Sequence, residues 1–135
     1  SAGGYALRKF NSSQVSLYVG DIVAIKNNKT LMWELGVLRW ASVNDLNQLD
    51  AGIELISPSA TSITVKSEKT VAEGEGLMLP ELGALKQPAS VIVPSGVYSQ
   101  GEVLELVHHE SLTKVLITRL VERTATFERF QYSLI

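Results

Sequence analysis

Gly36-Val-Leu-Arg39-Trp40 and, after a short interval, Gly52-Ile-Glu-Leu-Ile56 decide the fold class. The first piece reads as a strand that ends in a cation and an indole. The second reads as the chain returning. Between them lies a polar stretch, Ala41 to Ala51, that contains Asn44, Asp45, Asn47 and Asp50. Two β-favouring runs on either side of a turn-rich loop make an antiparallel hairpin. The runs Asp21 to Lys26 and Ser62 to Lys66 flank it in sequence, so the hairpin is expected to form one wall of a small β-barrel. Strict alternation over Leu31 to Trp40 puts Trp33, Leu35, Val37 and Arg39 on one face and Glu34, Gly36, Leu38 and Trp40 on the other.

The rest of the chain repeats this texture. Tyr5 to Lys9 reads as an edge strand, Gln14 to Tyr18 alternates, Val19-Gly20-Asp21 is a tight turn, and Asn27 to Thr30 is a turn cluster. Beyond Pro58 the expected strands cover Ser62–Lys66, Gly76–Pro80, Ala89–Val93, Glu102–His108, Lys114–Val121 and Thr124–Tyr132. Ser67 to Glu75 is polar and reads as a hinge or exposed connection. A helix over Thr118 to Arg123 is the weaker alternative to a strand, because threonines flank it. Short strands separated by turn signals, with no strong helix, indicate an all-β protein. Val19-Gly20-Asp21-Ile-Val and Gln100-Gly101-Glu102-Val-Leu both set a glycine and an acid at a strand start, a faint echo between the two halves.

Composition narrows the functional classes. The chain has 135 residues, 45% hydrophobic and 19% charged, enough to bury a core in one ordinary domain or two small β units. The net charge of −2 disfavours a nucleic-acid binder working by bulk phosphate attraction. Cysteine is absent, so disulfides, thiolate metal sites and cysteine nucleophiles are excluded. No apolar run approaches the roughly 18 residues of a membrane span. The N-terminus, Ser1-Ala-Gly-Gly-Tyr5, lacks the charged start and apolar core of a signal peptide, which makes a cytoplasmic location the expectation. With no initiator Met, the chain reads as a fragment or a processed form.

Catalytic patterns are missing. His108-His109 would point to opposite faces of a strand and so not share a metal. There is no G-x-x-x-x-G-K-[ST] and no G-x-S-x-G, and Gly74-Glu-Gly76 reads as a turn. Arg119, Arg123 and Arg129 are expected to form surface pairs with Glu122 and Glu128. The expectation is a protein that is not an enzyme and carries no cofactor or metal. Arg39-Trp40 leaves two readings open. One is a solvated arginine beside a core tryptophan. The other is a guanidinium and a flat ring that grip a nucleotide, through phosphate or the O6/N7 edge of guanine.

The order Gly20-Asp21-Ile-Val, Leu35-Gly36-Val-Leu-Arg39-Trp40, Ala51-Gly52-Ile-Glu-Leu55 resembles a PilZ-type domain, the bacterial receptor module for cyclic di-GMP. Members are six-stranded antiparallel barrels that hold the ligand with R-x-x-x-R and [D/N]-x-S-x-x-G. Ser1-Ala-Gly-Gly4 is similar to the last four positions of the second motif, and the first motif has no counterpart here. A rival match, Asn11-x-Ser13-x-x-Ser16, has serine where the family has glycine. The resemblance covers Ser1 to Lys66. It implies a PilZ-like antiparallel β-barrel over 1–67, followed by an additional β-rich module over 76–135 that either packs on it or builds a second small barrel. It implies Ser1 and Gly4 as ligand-binding residues, with Arg39 and Trp40 beside them. It further implies a non-enzymatic signalling domain that binds cyclic di-GMP and relays this to a protein partner. The alternative is a structural or protein-interaction β-domain without nucleotide binding, for which an exposed strand edge would favour a homo-oligomer.

Overall fold

A computed structural model of the chain describes residues 4–9, 18–26, 33–69 and 73–135, with side chains for all of these except 4–9 and 85. Ser1, the rival match at 11–16, the alternation over 14–17 and the turn at 27–30 lie outside the described residues. The chain divides into two compact units, Ser1–Ser59 and Ala60–Ile135.

In unit 1 the strands β1 (Gly4–Lys9), β2 (Ile22–Lys26), β3 (Trp33–Val43) and β4 (Leu49–Ser57) form a four-stranded antiparallel sheet in the order β1-β4-β3-β2. Tyr5–Lys9, read from sequence as an edge strand, does lie at an edge. The β3–β4 hairpin is as expected, but its loop is much shorter than Ala41 to Ala51: β3 runs to Val43 and β4 starts at Leu49. Asn44 explains this. Its Oδ1 accepts hydrogen bonds from the backbone N–H of Leu46 at 2.9 Å and of Gln48 at 3.0 Å, and its Nδ2 donates to Gln48 Oε1 at 2.7 Å. Asn47 takes the positive φ of 60° that the reversal needs. One asparagine thus satisfies the turn, which leaves the flanking residues to extend the ladder. On one face Leu38, Ala51 and Ile53 are buried, with Val23 and Ile25 packed against them.

Unit 2 holds β5 (Thr61–Ser67), β6 (Glu73–Leu79), β7 (Ser90–Pro94), β8 (Val103–His108), β9 (Ser111–Arg123) and β10 (Phe127–Leu134), plus one 3₁₀ turn at Gly83–Leu85. These strands close a barrel in the order β10-β7-β6-β5-β8-β9. Closure leaves no unpaired strand edge. The interior is filled by alternate residues: Ile63 and Val65, Val91 and Val93, Leu104 and Leu106, Val115 and Ile117, with Tyr98 and Phe130. Such side chains contribute about 1.5–3 kcal/mol each when fully buried, so the barrel is a packed core and not a pore.

Three expectations are corrected here. The strand over Ser62–Lys66 does not join the sheet of the unit 1 hairpin; β5 pairs with β6 and β8 in the closed barrel. The polar stretch to Glu75 is not all hinge, because β6 starts at Glu73. Its Glu-Gly-Glu-Gly run is a true alternation: Glu73 and Glu75 are exposed, and a side chain at Gly76 would run into Val65 Cγ2 and Ile92 O, each 2.9 Å away. The Arg123–Glu128 pair is not a surface pair. Glu128 is 1% exposed, and it accepts from Arg123 Nε at 2.8 Å and from the Gly96 N–H at 2.6 Å.

The echo between the halves is structural. At Tyr18–Asp21 the N–H of Asp21 donates to Tyr18 O at 2.9 Å, that of Gly20 to Leu38 O at 2.7 Å, and that of Leu38 to Asp21 O at 2.9 Å. At Ser99–Glu102 the N–H of Glu102 donates to Ser99 O at 3.1 Å, that of Gly101 to Ile117 O at 2.9 Å, and that of Ile117 to Glu102 O at 2.9 Å. Both acids accept from the first residue of their turn, Tyr18 N to Asp21 Oδ2 at 2.9 Å and Ser99 N to Glu102 Oε2 at 2.5 Å. Both glycines have φ above +90°, 98° and 91°, a region that side-chain-bearing residues avoid. The sheet order β1-β4-β3-β2 recurs in the barrel as β7-β10-β9-β8.

Candidate functional site

The site begins with a β-bulge. Along β3 and β4, Leu38 pairs with Ile53 but Trp40 pairs with Gly52, so Arg39 is an extra residue on its strand. A bulge re-aims side chains that strict alternation would separate. Arg39 and Trp40, expected on opposite faces, therefore both serve the face of Gly52 and Glu54. Arg39 Nη2 donates to Glu54 Oε1 at 2.6 Å. The Trp40 indole fills the space over Gly52: its Nε1, Cε2 and Cδ1 are the heavy atoms nearest to where a Gly52 side chain would stand. Trp40 stays 49% exposed, so it is not a core tryptophan. Gly4, on β1, stands in register with Glu54.

Three of the four residues expected from sequence thus gather on one face: Gly4, Arg39 and Trp40. Ser1 lies outside the described residues. Gly52 and Glu54 were missed as participants, although Gly52-Ile-Glu54 stands in the stretch that decides the fold. The usable signal was the glycine two residues from an acid on the strand facing Arg39-Trp40; the bulge that makes it matter leaves no mark in the sequence.

Chemically, the face offers a guanidinium, a carboxylate and an exposed ring. A guanidinium–carboxylate pair at this exposure contributes little to stability. The two charges can instead present donors and acceptors to a planar ligand, and the indole can stack on it.

Unit 2 carries a shallow cavity of about 340 Å³ lined by Ser62, Thr64, Glu75, His108 and His109 with Ile63 and Val107. The histidine rings do not diverge as strand neighbours would. His109 adopts φ 54° in the turn, which brings the two ring centroids to 4.2 Å. His108 Nδ1 lies 3.2 Å from Ser62 O. Among the described residues no group of three His, Asp or Glu side chains could hold a metal ion. No helix among them is long and apolar enough to cross a membrane.

A family model described as the middle PilZ domain of the cyclic-di-GMP receptor FimW matches residues 1–62, and one described as the FimW C-terminal beta-barrel domain matches residues 62–135. A curated relative, the cyclic-di-GMP receptor FimW of Pseudomonas aeruginosa, is 26% identical over 98% of the chain. The chain spans 22% of that relative's length. No solved structure matches.

Proposed function

The chain belongs to the family of the cyclic-di-GMP receptor FimW, in its middle PilZ and C-terminal β-barrel domains, and on that premise we propose that it is a non-catalytic bacterial signalling module that binds cyclic di-GMP on the unit 1 sheet and relays the occupied state to a protein partner. The observation that carries this reading is the bulge at Arg39, which sets a cation and an exposed indole side by side on the face that Gly4 borders. Cyclic di-GMP is a dianion with two flat bases. Arginine pairs with phosphate or with the guanine O6/N7 edge, and stacking of a base on an aromatic ring contributes about 1–3 kcal/mol. In this reading Ser1 hydrogen-bonds the ligand and Gly4 permits close backbone approach. The module works in the cytoplasm.

Unit 2 takes the structural or protein-interaction role. Its barrel interior is filled by side chains and its edges are paired, so what it offers a partner is its outer surface. Contact with the partner, or with a second copy of the chain, would use that surface.

Calorimetric titration of cyclic di-GMP into the chain and into the full-length gene product tests the proposal. Micromolar or tighter binding by the full-length protein is expected. No binding by the full-length protein overturns it and leaves the interaction role alone.

A further inference from the structure

The two units share a frame, and their differences separate what the fold needs from what a ligand needs. In β9 and β10, Arg119 pairs with Gln131 and Ile117 with Tyr132, so Thr118 is an extra residue just as Arg39 is in β3. Position by position, Arg39 corresponds to Thr118, Trp40 to Arg119, Gly52 to Gln131 and Glu54 to Ser133. The barrel keeps the bulge and none of the four unit 1 side-chain choices. The bulge belongs to the fold; the set Arg39, Trp40, Gly52 and Glu54 does not follow from it.

These four make a base-reading arrangement. Gly52 leaves room for the indole to lie against the sheet while 49% of Trp40 remains exposed. The Glu54 side chain is 54% exposed, and Arg39 holds its Oε1. Gly52 and Glu54, two apart on β4, share a face. A carboxylate accepts two parallel hydrogen bonds when two N–H donors stand side by side, and the Watson–Crick edge of guanine presents such a pair at N1 and the 2-amino group. Adenine offers a lone pair at N1 and no 2-amino group. A carboxylate facing a dianionic ligand is ordinarily unfavourable, and the Arg39 guanidinium offsets that charge.

Resting on the reading that unit 1 takes cyclic di-GMP, we propose that Glu54 is its guanine-selecting residue: the base stacks on Trp40 and donates N1–H and a 2-amino N–H to the Glu54 carboxylate, which Arg39 orients.

The test is calorimetry on the full-length gene product, unsubstituted and as Glu54→Gln, with cyclic di-GMP and with cyclic di-inosine monophosphate, which lacks only the 2-amino groups. Circular dichroism and urea melts verify that the variant folds. The unsubstituted protein should prefer the guanine ligand by about tenfold or more. In Glu54→Gln that preference should fall to near one, because the amide sets a donor against a donor. A preference unchanged by the substitution overturns the proposal, as does an equal loss of both ligands. Failure of the unsubstituted protein to bind cyclic di-GMP at all removes the receptor reading itself, a result distinct from either.

Discussion

Trp40 occupies the volume that any side chain at Gly52 would need, across the β3–β4 ladder where the two residues pair. The indole is thereby held against the sheet without being buried. A tryptophan kept half in water by a glycine is a costly use of a large apolar surface unless something covers it.

Gly52→Ala should release the indole. Sheet propensity changes by less than about 1 kcal/mol, so the urea midpoint should scarcely move. The Trp40 emission should shift to the red, read in the chain carrying Trp33→Phe so that Trp40 is its sole indole. An unshifted spectrum would mean the indole is not held by that glycine.

Arg39→Ala in the full-length gene product should weaken cyclic di-GMP binding by about tenfold or more, since a charge-assisted pair contributes about 1.5–3 kcal/mol. Ser1→Ala should also weaken it. Arg119→Ala, at the unit 2 position that corresponds to Trp40, should leave the affinity unchanged. Equal affinities for Ser1→Ala and Arg119→Ala would remove Ser1 from the site.

The repeated turn predicts matched costs. Gly20→Ala and Gly101→Ala each force a side chain into the left-handed region and should each destabilise their own unit by roughly 1–2 kcal/mol. Denaturant melts read this as lowered midpoints, and a clear effect at one glycine with none at the other would mean that the two turns are not equivalent in solution.

Glu128→Gln should cost unit 2 about 1–3 kcal/mol in urea melts, because the buried carboxylate serves both the Gly96 N–H and Arg123. Arg123→Ala should also destabilise, by leaving that carboxylate buried without its cation.

Alkali should loosen the barrel through the buried Tyr98 and the half-buried Tyr132. Burial pushes the Tyr98 phenol up from 10.0, with the Glu102 charge adding to the effect, and burial alone raises Tyr132. The folded state therefore holds these protons more tightly than the unfolded chain. Their contribution is complete below pH 10 and is lost as pH rises through the folded values. Tyr98→Phe should flatten the fall in stability above pH 10, measured by urea melts from pH 8 to about 11.

How much of this the sequence revealed depended on whether a feature was local. Alternation and turn residues sufficed for the all-β class, for the hairpin around Arg39-Trp40 and for the strand at Lys114 to Val121, because each is written in neighbouring residues. The Ser62–Lys66 strand was legible as a strand but not as part of the barrel, since its partners β6 and β8 are chosen by long-range packing. Glu73 and Glu75 disguised a strand as a linker because they alternate with glycines, and at Gly76 the close approach of Val65 and Ile92 leaves no room for an apolar side chain that would have marked the strand. Trp40 was misassigned to the face of Leu38, while Arg39 keeps the face of Val37, for one reason: a bulge inserts a single residue and reverses the period beyond it without any sequence sign. Glu128 read as a surface acid because its partner Gly96 N–H is a backbone group 32 residues away.

The twin bulges have a use that neither unit exploits alone. The barrel around Thr118 is a blank of the unit 1 frame, with the same turn, the same strand order and the same extra residue. Installing Thr118→Arg, Arg119→Trp, Gln131→Gly and Ser133→Glu would transplant the four side chains onto a chassis whose edges are already sealed, and would give one chain two copies of the same exposed cation-and-indole face.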